Sequence, residues 1–267
     1  MKTILAPTDF SQVSLNAVRY AADLAVAIDA KLLILHAVDV PVAVGDMPVA
    51  GVSYDELNSE NELLRLRKSL LERTNKKISI EAKQLWGALE NELIKVCGYN
   101  KPFAIVMGTH GNALAARYFL ESTTVYVAKH FNYPVIVVPQ DRSFKPIRKI
   151  VLATELKNLD DLPWQQVTTL LNIFGASLHI VHVNKTDKEI GENLLKDLFS
   201  HHPLKTAEPY FHVVEHANVQ KGISLFAEQN DADLVLVVPK KHGLFHKSDS
   251  RQFIFYSPVP VMALHKE

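Results

Sequence analysis

The chain has 267 residues, 48% of them hydrophobic, and its 29 basic side chains are balanced by 29 acidic ones. That length suits two modest domains, and the balanced charge argues against a nucleic-acid binder, which would show a basic excess or stripe. The single cysteine, Cys97, excludes an internal disulfide, and no apolar run approaches the ~20 residues needed to cross a bilayer. A soluble protein of the reducing cytoplasm, with no membrane partner, is the expectation.

In chain order, β-branched and apolar runs predict strands at 2–6, 31–38, 77–84, 103–108 and 134–138. Between them, helical periodicity predicts helices over 12–28, 55–74, 88–98 and 113–131. Ala17, Ala21, Leu24 and Ile28 form one apolar stripe, which reads as core packing. The runs Leu32–Leu35 and Ala104–Met107 are wholly apolar, as strands buried on both faces are. Alternating strands and helices call for an α/β fold: an open parallel sheet with right-handed crossovers and helices on both sides. The loop from Val40 to Gly51 leaves the carboxyl end of the second strand, the side on which such sheets bind ligands.

From Lys149 the pattern begins again. Thr8 answers Thr154 and His36 answers His182, each at an offset of 146, and "PFAIVMGTH" is similar to "ADLVLVVPKKH". The chain therefore reads as two versions of one unit, residues 1–141 and 147–267. Between them "PQDRSFKPIRK", polar and twice broken by proline, reads as a linker.

The stretch "VMGTHGNALAARYFLEST" carries the chemistry. Gly108 and Gly111 fall where a buried strand gives way to a helix, so unpaired amides and the helix dipole favour an anion there. An ordinary strand-to-helix turn would use the same two glycines. Asp9 follows the first strand and can accept from ribose hydroxyls; it can equally cap the helix beginning near Gln12. His36-Ala37-Val38 ends the second strand, where backbone groups can meet an adenine edge, and Ser122 and Thr123 offer hydroxyls to a phosphate or magnesium ion.

With those residues in place, the first unit resembles the universal stress protein family, and the whole chain resembles a tandem pair of such domains. The likeness rests on "ILAPTDFS", "LHAVD", "VMGTHG" and "YPVIVVP". The family's nucleotide motif is Gly, two residues, Gly, nine residues, then Gly and Ser or Thr. Gly108 and Gly111 fit, Asn112–Leu120 supply the nine, and Glu121 stands where the last glycine belongs. The resemblance implies adenine nucleotide alpha hydrolase-like (Rossmann-like) domains that bind ATP, with magnesium as a companion ion. It implies that Asp9 holds ribose beside Pro7 and Thr8, that the Val38 backbone holds adenine next to Met107, and that Gly108, His110, Gly111, Ser122 and Thr123 hold phosphates. Glu121 either points away, ligates magnesium, or opposes the phosphates.

The second unit departs from this pattern. Pro239-Lys240-Lys241-His242 replaces the glycine turn, the stretch onward to the last strand is shorter by five residues, and Glu155 replaces Asp9. No nucleotide is expected there, and its Lys240, Lys241, His242, His246 and Lys247 read as a solvated basic loop. His212 and His216 sit on a predicted strand about 13 Å apart, so no metal site is expected. No GxSxG elbow or P-loop is present. The expected function is a stress-response module binding an adenine nucleotide in its first half, not an enzyme, with slow ATP hydrolysis as the limit of any activity. A nucleotide-free scaffold is the rival reading. The apolar last strands of the two units are expected to pair as an internal pseudo-dimer, and pairing of whole chains into a homodimer is left open.

Overall fold

A computed structural model describes residues 1–38, 54–109, 123–154, 156, 159–185, 190–239 and 257–265. The first half runs β1 (Lys2–Pro7), α1 (Gln12–Ala27), β2 (Ala30–Val38), α2 (Tyr54–Arg73), β3 (Ile80–Trp86), α3 (Leu89–Asn100), β4 (Ala104–Gly108), α4 (Thr123–His130) and β5 (Val135–Val138). The second half runs β6 (Lys149–Ala153), α5 (Trp164–Phe174), β7 (Ser177–Asn184), α6 (Glu192–Leu198), β8 (Tyr210–Glu215), α7 (Val219–Gln229), β9 (Leu234–Val237) and β10 (Val261–Ala263).

The strands form one ten-stranded sheet in the order β3-β2-β1-β4-β5-β10-β9-β6-β7-β8. Every pairing is parallel except the join of β5 to β10, where Val137 faces Val261, Ile136 faces Met262 and Val135 faces Ala263. Each half thus repeats the order 3-2-1-4-5 of a doubly wound sheet, and the halves meet as the expected internal pseudo-dimer. The repeat extends to single hydrogen bonds. Phe103 N donates to Thr3 O at 2.8 Å, and Asp233 N donates to Lys149 O, its counterpart, at 3.0 Å.

Helices cover both faces, and the core on each face runs unbroken across the join. On one side Ile4, Leu24 and Ile34 pack in the same cluster as Ile136, Met262, Leu152 and Val167. On the other side Leu5, Leu93 and Val125 share a cluster with Val137, Val261, Val235 and Ile223. α1 packs tightly because its buried face is built largely from small residues: Ala17, Ala21, Ala22 and Ala25 are fully buried.

Two details depart from the sequence-based expectation. The third strand begins at Ile80 rather than 77, because Asn75 and Lys76 take positive φ (50° and 57°) and Lys76 N donates to Leu71 O, closing α2 with a left-handed turn. The stretch between the halves, expected to be a simple linker, is pinned. Asn16 Nδ2 donates to the carbonyls of Pro139 (3.2 Å) and Arg142 (2.9 Å), and Arg142 Nε donates to Pro258 O at 2.6 Å. Phe144 meets Tyr20 edge-on with ring centroids 5.3 Å apart, and Ile147 is buried. Of the expected fourth helix, 113–131, residues 123–131 fall among those described; Thr123–His130 are helical and Phe131 lies just past the helix end.

Candidate functional site

The carboxyl ends of β1 and β4 lie side by side. Their register sets Ile4 beside Ala104 and Leu5 beside Ile105, so its continuation brings Thr8 level with Gly108. Gly108 is glycine for a reason the sequence did not show. It does not take positive φ; among the described glycines only Gly87 and Gly175 do. A Cβ at Gly108 would lie 2.6 Å from Val13 Cγ1, 2.7 Å from Val13 O and 3.0 Å from Val13 C. The absent side chain lets the first turn of α1 rest directly on the end of β4. The next amide is not free either, because Thr109 N donates to Val138 O at 3.1 Å. Any cradle of amides begins at His110, and His110, Gly111, Glu121 and Ser122 lie outside the described residues.

α4 reaches the same point from the other face of the sheet. Thr124 Oγ1 donates to Gly108 O at 3.0 Å, and Thr123, half-buried, is the first residue of that helix. Two helix N-termini, those of α1 and α4, therefore converge on Gly108. Each carries roughly half a positive charge from its aligned peptide dipoles. The chain between β1 and α1 is fixed around Thr8, whose N–H donates to Leu35 O at 2.8 Å and whose carbonyl meets His36 Nδ1 at 2.8 Å. Phe10, at φ 61°, packs its ring at a 42° tilt against that of His36, centroids 4.5 Å apart, and donates its N–H to Thr8 Oγ1. A phenylalanine in the left-handed region costs about 1 kcal/mol or more, and the ring contact and hydrogen bond hold it there. Ser14 gathers the turn, with its Oγ 3.0 Å from Thr8 Oγ1 and 3.3 Å from Asp9 N.

Asp9 stands exposed at the mouth of this turn. It is not the cap of α1; that is Ser11, whose side chain accepts from Ser14 N. Asp9 Oδ1 instead accepts from Ser11 N at 3.0 Å. Partial burial alone would push its carboxyl up, but the hydrogen bonds from Ser11, Ser14 and the backbone outweigh this and leave its pKa below the ordinary value. Asp9 is a carboxylate at neutral pH. Val38 ends β2 and accepts from Gly87 N at 2.9 Å. Pro7 and Met107 are buried in the strand ends beneath the crevice. The structure thus gathers Pro7, Thr8, Asp9, Met107, Gly108 and Thr123 at adjoining ends of β1, β4 and α4, with Val38 one strand away. Sequence reasoning missed Val13, Ser14 and Thr124, whose roles appear only once α1 and α4 are seen to meet β4.

The second half keeps the frame and loses the floor. Thr154 N donates to Val181 O at 3.0 Å and His182 Nδ1 lies 3.2 Å from Thr154 O, repeating the bonds of Thr8 and His36. The register of β6 with β9 sets Ile150 beside Leu234, as Ile4 stands beside Ala104. Val238, not Pro239, therefore occupies the place of Gly108, one residue earlier than the sequence alignment gave. With a valine there, no helix turn can approach as closely. α5 accordingly begins ten positions after Thr154, at Trp164, whereas α1 begins four after Thr8, at Gln12. Glu155 and the basic residues 240–247 lie outside the described residues.

The histidines of the second half hold one contact the sequence did not show. His216 lies just past the end of β8 rather than on it, and His212 Nε2 lies 3.0 Å from Nδ1 of His179 on the neighbouring strand. Desolvation, His212 and the charge of Lys149 push His179 down to about 4. Desolvation also lowers His212 and His265. Because these pKa values are lower in the folded chain than in the unfolded one, the unfolded state binds more protons below pH 6.5, and stability falls as pH drops from about 6.5 towards 4. The loss is on the order of 2 kcal/mol after allowance for solvent screening. A melting temperature lower by about 4–8 °C at pH 4.5 than at pH 7.5 is expected. His179→Leu, which matches the first half's Leu33, should flatten that dependence; an unchanged pH profile would contradict it.

Comparison with known proteins agrees with this architecture. A universal stress protein of Methanocaldococcus jannaschii is 36% identical over 146 residues, 53% of this chain and 84% of that protein. A second one from the same organism is 28% identical over 157 residues, 53% of this chain and 97% of that protein. The crystal structure of a universal stress protein from Archaeoglobus fulgidus superposes over 99% of this chain and 96% of its own with a TM-score of 0.75 at 20% identity, a likeness of fold. No helix among the described residues is long and apolar enough to cross a membrane. The model of the universal stress protein family matches residues 1–139, and the chain belongs to that family.

Proposed function

We propose that the chain is a stress-response module that binds ATP, or a related adenine nucleotide, in the crevice of its first half, residues 1–141. The convergence of two helix N-termini on Gly108 is the observation that carries this reading, because it favours a phosphate at that point. Asp9, ionised and exposed one residue past Thr8, which stands level with Gly108, accepts from the ribose hydroxyls, and the backbone of Val38 meets the adenine edge. His110, Gly111, Ser122 and Thr123 complete the phosphate side, with magnesium as counter-ion. The second half, with Val238 filling the place of Gly108 and α5 set back, takes no nucleotide in this manner.

The reading assigns no catalytic residue. Among the described residues of the crevice, the Ser14 hydroxyl is spent on Thr8, Ser11 and the Asp9 amide, and His36 Nδ1 is held by the Thr8 carbonyl. Among these described residues no nucleophile meets a base.

Isothermal titration with ATP and Mg²⁺ tests the assignment. Asp9→Ala weakens binding at least about tenfold, the equivalent of roughly 1.4 kcal/mol, while Glu155→Ala leaves it unchanged. Equal losses from both variants would refute the one-site reading. Glu121→Gly strengthens binding by about fivefold, since a like charge at about 4 Å in a water-like medium costs roughly 1 kcal/mol. Weaker binding of that variant in magnesium would assign Glu121 to the metal instead.

A further inference from the structure

A cleft of about 170 Å³ opens where the two halves join. The stretch that connects the halves forms one wall, the end of α7 and the start of β9 form the other, and Val259 and Ala232, both buried, lie at its floor. Tyr20 of α1 lines the cleft with only 2% of its surface exposed, its ring set edge-on to Phe144. Among the described residues its hydroxyl meets no hydrogen-bond partner. Burial, and then the nearby negative charge of Asp233, raise the pKa of that hydroxyl, so it keeps its proton. A buried hydroxyl left unpaired is unfavourable and asks for an explanation.

The fold itself does not require polar groups at this place, because the internal repeat supplies it twice. Val235 N donates to Pro260 O as Ile105 N donates to Pro134 O, so Pro260 repeats Pro134 and, further along, His265 repeats Pro139. Gln166 Nε2 donates to His265 O at 3.0 Å, just as Asn16 Nδ2 donates to Pro139 O at 3.2 Å. One helical turn beyond these two side chains, Leu170 therefore answers Tyr20. Phe103 answers Asp233 through their matching bonds to Thr3 O and Lys149 O. The counterpart of the Tyr20 and Asp233 pair is thus wholly apolar.

Charges of both signs line the same cleft. Arg142 and Lys145 stand on the connecting stretch, and Glu228, Asp231 and Asp233 stand on the side of the second half. None of them pairs with another: among the described residues the ion pairs are Lys31 with Glu81, Arg73 with Asp23, and Lys95 with Glu92. Nor do the three carboxylates converge on a metal, since no group of three or more metal ligands forms among the described residues. Arg142 spends Nε on Pro258 O, which leaves the terminal nitrogens of its fork for a carboxylate. Asp233 spends Oδ2 on the amides of Arg148 and Lys149, which leaves Oδ1 for a donor. Opposite charges held apart across one cleft match a molecule that carries both signs. We propose that the cleft binds a free α-amino acid with a small apolar side chain. Its carboxylate meets Arg142 and Lys145, its ammonium meets Asp233, and its side chain rests on Val259 and Ala232. The Tyr20 hydroxyl, able both to donate and to accept, bonds to the charged head. A cavity of about 150 Å³ admits benzene, so this cleft has room for a molecule the size of valine.

L-Valine titrated calorimetrically into the full chain at pH 7.5, without nucleotide, tests the proposal. It binds with a dissociation constant on the order of 0.1 mM, in keeping with so small a ligand. Isobutylamine, which lacks the carboxylate, and isovalerate, which lacks the ammonium, each bind at least about tenfold more weakly. Tyr20→Phe keeps the ring and weakens L-valine at least about fivefold. That variant melts no lower than the wild type, because the hydroxyl it removes holds nothing in the fold. No binding at about 10 mM L-valine, either fragment binding as tightly as L-valine, or undiminished binding by Tyr20→Phe would each overturn the site. A lowered melting temperature of Tyr20→Phe would overturn it as well, by giving the hydroxyl a structural role. None of these outcomes depends on whether the first half binds ATP.

Discussion

Gly108→Val is expected to unfold the chain partially and to abolish nucleotide binding with it. A Cβ at that position meets Val13 at 2.6 Å through its side chain and at 2.7 Å through its carbonyl oxygen. The side-chain contact can be relieved by rotation, but the backbone contact cannot. α1 must therefore lift from β4 at its first turn. Overpacking of this kind typically costs 1–3 kcal/mol, and a contact with backbone places Gly108→Val at about 3 kcal/mol or more. For a chain of this size that corresponds to a melting temperature lower by roughly 6–12 °C. Gly108→Ala carries the same Cβ and is expected to lose most of that stability. Val13→Ala in the Gly108→Ala background restores only part of it, because Val13 O and C remain. Full recovery in that double variant, measured by thermal melts, would show that the close approach is a side-chain matter alone.

Met262→Asp is expected to have a larger effect. Met262 and Ile136 face each other across the one antiparallel pairing of the sheet, both about 1% exposed, in a core that extends from Ile4 to Leu178. An aspartate there loses the burial of a methionine, about 2–3 kcal/mol, and leaves a carboxylate with no partner, which costs several more. The sum is a large part of the 5–15 kcal/mol that holds a typical domain. Since both cores cross the join, the two halves are expected to lose structure together in one transition. Circular dichroism and differential scanning calorimetry distinguish the outcomes. A first half that still melts at the wild-type temperature would mean that the halves are independently stable and merely docked.

The alternation of strands and helices, and the doubling of the chain, were legible because they rest on period and self-similarity. Apolar runs such as Leu32–Leu35 have no other home than a sheet covered on both sides. The 146-residue offset between Thr8 and Thr154 marks equal turns, and the same pair of hydrogen bonds appears at both. The reasons behind single residues were less legible. Gly108 attracted notice as a conformational glycine, yet its role is steric and set by Val13, 95 residues earlier in the chain. Likewise, the pairing of His179 with His212 depends on strand register, which one sequence does not display. The alignment that matched Pro239 to Gly108 slipped by one residue because two short apolar strands offer no internal mark of register.

Equilibrium dialysis of the purified chain against ATP and Mg²⁺ bears most directly on the account. With α1 and α4 both beginning at Gly108 in the first half, and α5 set back behind Val238 in the second, one nucleotide per chain is predicted, bound at least about tenfold more weakly in Asp9→Ala. Two nucleotides per chain, or none at millimolar ATP, would contradict it.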